Sequence, residues 1–84
     1  MLLGRVVGSV ISTRKNEKLV GCKFMIVEPL NQGKLPQRLI AVDNIGAGVG
    51  ETVMVACGSA ARLACAADMP VDAAIIGIVD EGCY

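Results

Sequence analysis

Asp43-Asn44-Ile45-Gly46-Ala47-Gly48-Val49-Gly50-Glu51, then Thr52-Val53-Met54-Val55-Ala56-Cys57, then Gly58-Ser59-Ala60-Ala61-Arg62, is the stretch that decides how this chain folds. A glycine-laced loop runs into a β-branched, apolar segment that reads as a strand. A glycine–serine corner then opens an alanine-rich segment. Glycine at every second position of the loop permits backbone conformations that a Cβ forbids, so the loop either turns a tight corner or approaches another group closely. A nucleotide does not fit as that group. Gly46-x-Gly48-x-Gly50 is not the G-x-G-x-x-G fingerprint, and a strand follows it where a phosphate site needs a helix N-terminus. A P-loop would close on Gly-Lys-Ser/Thr, whereas this loop closes on Gly50-Glu51, whose charge repels phosphate. A tight corner packed against other backbone is the reading that survives.

Outward from this centre the elements are short. Leu2–Ile11 reads as a first strand, with Gly4 and Gly8 at positions where a small sheet bulges or bends into a barrel. Ser12–Lys18 is a polar turn and Leu19–Glu28 a second strand, followed by a proline- and glycine-bearing loop over Pro29–Gln37. Arg38–Asn44 is a third strand and Glu51–Cys57 a fourth. Ser59 suits a helix N-cap, because its hydroxyl can accept an orphan backbone N–H, and Ala60–Ala67 follows as a short helix. Asp68-Met69-Pro70 ends the helix, Ala73–Val79 is a fifth strand, and Asp80–Tyr84 is a tail. Five short strands and one helix predict an all-β domain, a small five-stranded OB-like β-barrel with the helix between the fourth and fifth strands. Strand order is not determined at this level.

Eighty-four residues predict one domain, 1–84. The longest stretch without a charged residue, Thr52–Ala61, is ten residues, half of the ~20 that a spanning helix needs. Arg5 interrupts the only apolar start that could serve as a signal peptide, so a cytoplasmic location is expected. Eight basic and eight acidic residues give zero formal net charge, and Phe24 and Tyr84 are the only aromatics. A nucleic-acid binder would show a basic stripe and stacking platforms, so no nucleic-acid partner is expected. The local excess Arg14-Lys15-Asn16-Glu17-Lys18 reads first as a solvated turn and second as a contact with a neighbouring subunit, with Arg14 as its candidate. There is no histidine, and Cys22, Cys57, Cys65 and Cys83 form no C-x-x-C pair. That excludes the usual zinc frameworks and any Ser-His or Cys-His pair. Cys22 and Cys57, in apolar strands, are expected as small buried hydrophobes. No catalytic residue, cofactor or metal is expected.

One mismatch stands out. Hydrophobic residues make up 54% of the chain, yet a domain this small hides only about 60% of its unfolded surface unaided. Val6-Val7, Val53-Met54-Val55-Ala56 and Ile75-Ile76 place apolar groups on both faces of their strands, and one short helix cannot cover the second face. Copies of the chain, or a partner, are expected to cover it. A patch of about 800 Å² per partner, somewhat over half apolar, supplies on the order of 10 kcal/mol of gross driving force before association costs.

The central stretch also carries a likeness. Val42-Asp43-x-x-Gly46-Ala47-Gly48-x-Gly50-Glu51 with Gly58-Ser59-Ala60-Ala61-Arg62 resembles the pentameric vertex proteins of bacterial microcompartment shells. Gly4-Arg5-Val6-Val7-Gly8, Ser12-Thr13-Arg14-Lys15 before Leu19-x-Gly21-x-Lys23, Glu28-Pro29-Leu30, and Pro70-Val71-Asp72-Ala73-Ala74-Ile75-Ile76-Gly77-Ile78-Val79-Asp80 extend it over nearly the whole chain. Ala60 departs from the pattern, because members often carry a second serine there. The resemblance implies a structural homopentamer that closes a shell, with hexameric shell proteins as partners and the compartment shell as location. It implies a five-fold axis, for which the Gly46-Ala47-Gly48-Val49-Gly50 corner is the first candidate and the corner at Ser59 the second. Asp43, Glu51 and Arg62 are candidates for the subunit interface, either as inter-subunit pairs or as partners of loop amides, or else are exposed loop charges. An OB-type binding module and a subunit of a cytosolic enzyme complex are the rival readings.

Overall fold

Strands form where β-branched and apolar residues supply a continuous inward row, and loops form where glycine, proline and charge interrupt it. The computed structural model describes residues 1–13, 15–30, 37–66 and 68–80. Its strands are β1 (Leu2–Val10), β2 (Phe24–Pro29), β3 (Leu39–Asp43), β4 (Thr52–Cys57) and β5 (Ala73–Ile78), with the helix α1 (Ser59–Ala64) between β4 and β5. They close into a barrel in the order β1-β2-β3-β5-β4. All seams are antiparallel except β3–β5, a parallel seam registered at Val42↔Ala74 and Asp43↔Ile75. The expected OB-like barrel with one short helix is therefore what forms.

The barrel is filled by Val6, Met25, Val27, Ala41, Val53, Val55, Ala73 and Ile75, joined by Ala47 from the glycine loop. Small side chains suit the narrow interior of so few strands. Close approach of β1 to β2 requires a glycine at position 4, since a Cβ there would collide with Val27 Cγ1. The expected bulge lies between Val6 and Gly8, where the β1–β2 register shifts. The outward apolar residues stay uncovered. Met54 stands opposite Leu3 on one side and Gly77 on the other, and Val7, Ile40, Met54 and Ile78 are all exposed.

Four details differ from the sequence reading. The second strand begins at Phe24 instead of Leu19, because Glu17–Leu19 form a 3₁₀ turn capped by Asn16, whose side chain accepts the Lys18 N–H at 2.9 Å. Ser59 is not the helix N-cap. That place belongs to Gly58, whose φ of +62° is a conformation only glycine takes easily, and no side chain caps the helix. The helix also stops at Ala64 despite the alanines beyond it. The chain must turn back so that Asp72 O can accept the Gly58 N–H at 2.8 Å and β5 can pair with β4. Tertiary closure outweighs a local propensity worth tenths of a kcal/mol per residue. Finally, Cys22 and Cys57 are half-buried, not fully buried.

Candidate assembly site

Asp43 ends β3 at the parallel seam, and its side chain is fully buried. The loop folds back over it. Oδ1 accepts the N–H groups of Ile45 at 2.9 Å and Gly46 at 3.0 Å, and Oδ2 accepts that of Ala47 at 2.8 Å. This is the habit of aspartate at a turn, where the short carboxylate satisfies backbone donors just ahead of it. The wrap depends on Gly46, whose φ is +99°. Lys23, just before β2, reaches in from the half-exposed edge. Its Nζ lies 3.6 Å from Asp43 Oδ2 and donates to Ala47 O at 3.4 Å. Burial pushes the Asp43 pKa up, but the three amides and the Lys23 ammonium outweigh it and hold the carboxyl below its ordinary value of 3.8.

The far end of the loop is held by a second carboxylate and by β1. Glu51 Oε1 accepts the Gly48 N–H at 2.6 Å. Gly50 N–H donates to Val6 O at 2.8 Å, and Val6 N–H donates to Glu51 O at 3.0 Å. The result is one inward residue set between outward ones. Ala47 is buried in the barrel core, while Ile45 and Val49 on either side of it point outward, 50% and 66% exposed.

At the second corner, Ser59 opens α1 and is exposed, and the helix packs against β4 and β5 through buried Ala61. Arg62 Nη1 donates to Val71 O at 3.2 Å, tying the helix to the segment that leads into β5. Leu63, 85% exposed, projects from the same helix.

The candidates named from sequence thus fall into distinct places. Gly46, Gly48, Val49 and Gly50 lie on the accessible side of one corner and Ser59 on that of the other, whereas Ala47 turns its side chain inward. Asp43 and Glu51 bind loop amides of their own chain, the second of the roles considered for them, and Arg62 binds a carbonyl of its own chain. Arg14 lies outside the described residues. Lys23 was legible only as one residue of a longer motif, because nothing in the local pattern links it to an aspartate twenty positions on. Among the described residues no group of His, Cys, Asp and Glu is arranged to hold a metal ion, and no helix is long and apolar enough to cross a membrane.

This barrel and loop have known counterparts. The family model for ethanolamine utilisation protein EutN/carboxysome matches residues 1–80. The chain belongs to the EutN/CcmL family. The bacterial microcompartment shell vertex protein GrpN of Rhodospirillum rubrum is 48% identical over 83 residues, 95% of this chain and 93% of that one. The carboxysome shell vertex protein CcmL of Gloeobacter violaceus is 42% identical over 83 residues, 95% of this chain and 83% of that one. The solved structure of the GrpN pentameric microcompartment shell protein from Rhodospirillum rubrum superposes with a TM-score of 0.83 at 46% identity, covering 95% of this chain and 94% of that one. In EutN/CcmL terms, the sequence-level likeness and the barrel topology identify the same relatives.

Proposed function

We propose that this chain is a structural shell protein whose homopentamers cap the vertices of a bacterial microcompartment and allow its shell to close. The near-full-length match to a protein solved as a pentameric shell component carries this reading. The outward residues Val7, Ile40, Met54 and Ile78 support it, since they give a chain of this size an apolar exterior that sister subunits would cover. A ring needs two different patches that meet with a closing rotation. A shell of flat hexagonal tiles cannot close without five-fold units, so hexameric shell proteins are the partners we infer. The whole of 1–84 acts as one vertex domain located in the shell, without a cofactor, a nucleic-acid partner or a membrane, and without catalysis. Among the described residues, Asp43 is the carboxylate whose pKa is displaced, and its own loop engages it through three amides.

Within the pentamer we assign the Gly46–Gly50 corner, with Ser59 as second candidate, to the five-fold axis, where small residues avoid crowding. Ala47 stands behind that corner as a buried residue, its N–H donated to Asp43 and its C=O accepting from Lys23. To the subunit interface we assign Asp43, Glu51, Arg62 and Arg14, Asp43 acting from its buried place beneath the loop. Native mass spectrometry tests the function directly. Five subunits are expected, and isolated folded monomers or another stoichiometry would overturn it. Arg62→Ala is expected to weaken the oligomer, and an unchanged sedimentation profile would remove Arg62 from the interface.

A further inference from the structure

Asp43 is hidden from solvent, yet it governs the part of the loop that faces outward. With glycine at 46, 48 and 50, the segment has few side chains with which to build a core of its own, and ordering such backbone costs about 1–2 kcal/mol per residue. The carboxylate supplies what packing does not. It gathers three successive amides, Ile45, Gly46 and Ala47, and the Lys23 ammonium bridges the carboxylate to Ala47 O, closing the wrap from the β2 side. Once Ala47 is seated in the core, Ile45 and Val49 are left standing in water. A single exposed apolar residue is ordinary. Two of them on one loop, Ile45 held by the buried charge and Val49 placed beyond the Ala47 that this charge seats, form a prepared contact.

We propose that Asp43, with Lys23 as its counter-ion, is a positioning residue for subunit association, holding Ile45 and Val49 as the apolar contact for a second copy of this chain. The inference rests on the pentamer reading above. A second copy is the occupant because a relative with 46% identity over nearly the same length is pentameric, and a ring interface requires an apolar centre on each subunit. The charge must be a carboxylate with two acceptor oxygens. An asparagine there would turn an NH₂ toward either the Ala47 N–H and the Lys23 ammonium or the amides of Ile45 and Gly46, so a donor would face donors.

Four variants of the full chain test this beside the wild type, by sedimentation over a concentration series, circular dichroism, and amide hydrogen exchange at Ile45, Gly46 and Ala47. Asp43→Asn and Lys23→Met are expected to raise the concentration for half-assembly by about tenfold or more and to speed exchange at the three amides, with a cooperative melt retained. Lys23→Arg is expected to restore assembly and protection to near wild type. Val49→Ser is expected to weaken assembly while leaving the three amides protected. Wild-type assembly by Asp43→Asn or by Lys23→Met overturns the inference, as does unaltered assembly by Val49→Ser. Failure of Lys23→Arg to recover what Lys23→Met loses overturns the counter-ion role. If Asp43→Asn does not fold, Lys23→Met decides, because its side chain is 55% exposed. A wild-type chain that stays monomeric overturns the pentamer reading and this inference with it, whereas a wild-type pentamer indifferent to these variants overturns the inference alone.

Discussion

The two corners that flank β4 are held by different forces. The 44–51 loop is fixed by side-chain charge, with Asp43 and Glu51 accepting its amides and Lys23 clamping the assembly from outside. The 58–72 connection is fixed mostly by backbone, through Gly58 N–H to Asp72 O, and by a short helix that buries Ala61, with Arg62 adding one hydrogen bond to Val71 O. The contrast follows from composition. A segment with alanines at helical spacing can be anchored by packing, whereas a segment in which every second residue lacks a side chain needs hydrogen bonds to a carboxylate. The first corner is therefore more open to disruption by one charge change than the second.

The largest break in this comparison comes from Asp43→Ala. It strips three amides of their acceptor, the Ala47 amide at a buried site where an unpaired donor costs about 1–3 kcal/mol and the Ile45 and Gly46 amides at part-buried sites where water softens the penalty, so a loss of about 2–4 kcal/mol is expected. Urea unfolding at fixed protein concentration checks it, and a loss below about 1 kcal/mol would show that charge does not hold this corner. Acid sharpens the same contrast. Because the Asp43 pKa is lowered on folding, its contribution is full above the ordinary value of 3.8 and fades as pH falls through the lower native value. Unfolding free energy should decline over that acid window in the wild type and decline less in Asp43→Asn. Gly46→Ala is next. No atom lies within 4 Å of the added methyl, so only the φ of +99° penalises it, at about 1–2 kcal/mol by thermal melting. Ser59→Ala should be the mildest, within about 0.5 kcal/mol, since no side chain caps α1. A loss above about 1 kcal/mol would mean that the second corner also depends on a side-chain cap.

Much of the barrel was legible along the chain. The run Thr52–Cys57 and the paired Val6-Val7 announced strands with apolar groups on both faces, and the structure leaves Val7 and Met54 exposed as that pattern required. Glycines 4 and 8 announced bending, and one sits where a Cβ would collide with Val27 of β2, the other at the bulge. Elements whose ends depend on distant contacts were read less well. Leu19 and Val20 look like strand, but Asn16 caps a 3₁₀ turn there and Gly21, at φ +86°, follows it. The alanines after Ala64 look like helix, but the pairing of β5 with β4 ends it. In the candidate site, the glycine composition marked the corner, and the family resemblance singled out its residues, with Asp43 and Glu51 as the charges beside it. The inward turn of Ala47 and the reach of Lys23 were not legible, because neither follows from a local period.

The order of apolar and glycine residues by itself determined that this chain makes short strands around a tight corner, and that it carries more apolar surface than it can bury. Both are local or additive properties, countable residue by residue. Only the tertiary structure decided that β5 closes the barrel in parallel against β3, that a buried aspartate at that seam binds the loop's amides, and that a lysine twenty positions earlier completes the clamp. Those outcomes depend on which strand ends meet in space. Hydrogen bonds and ion pairs act over a few ångströms, and no sequence spacing measures that distance across a barrel.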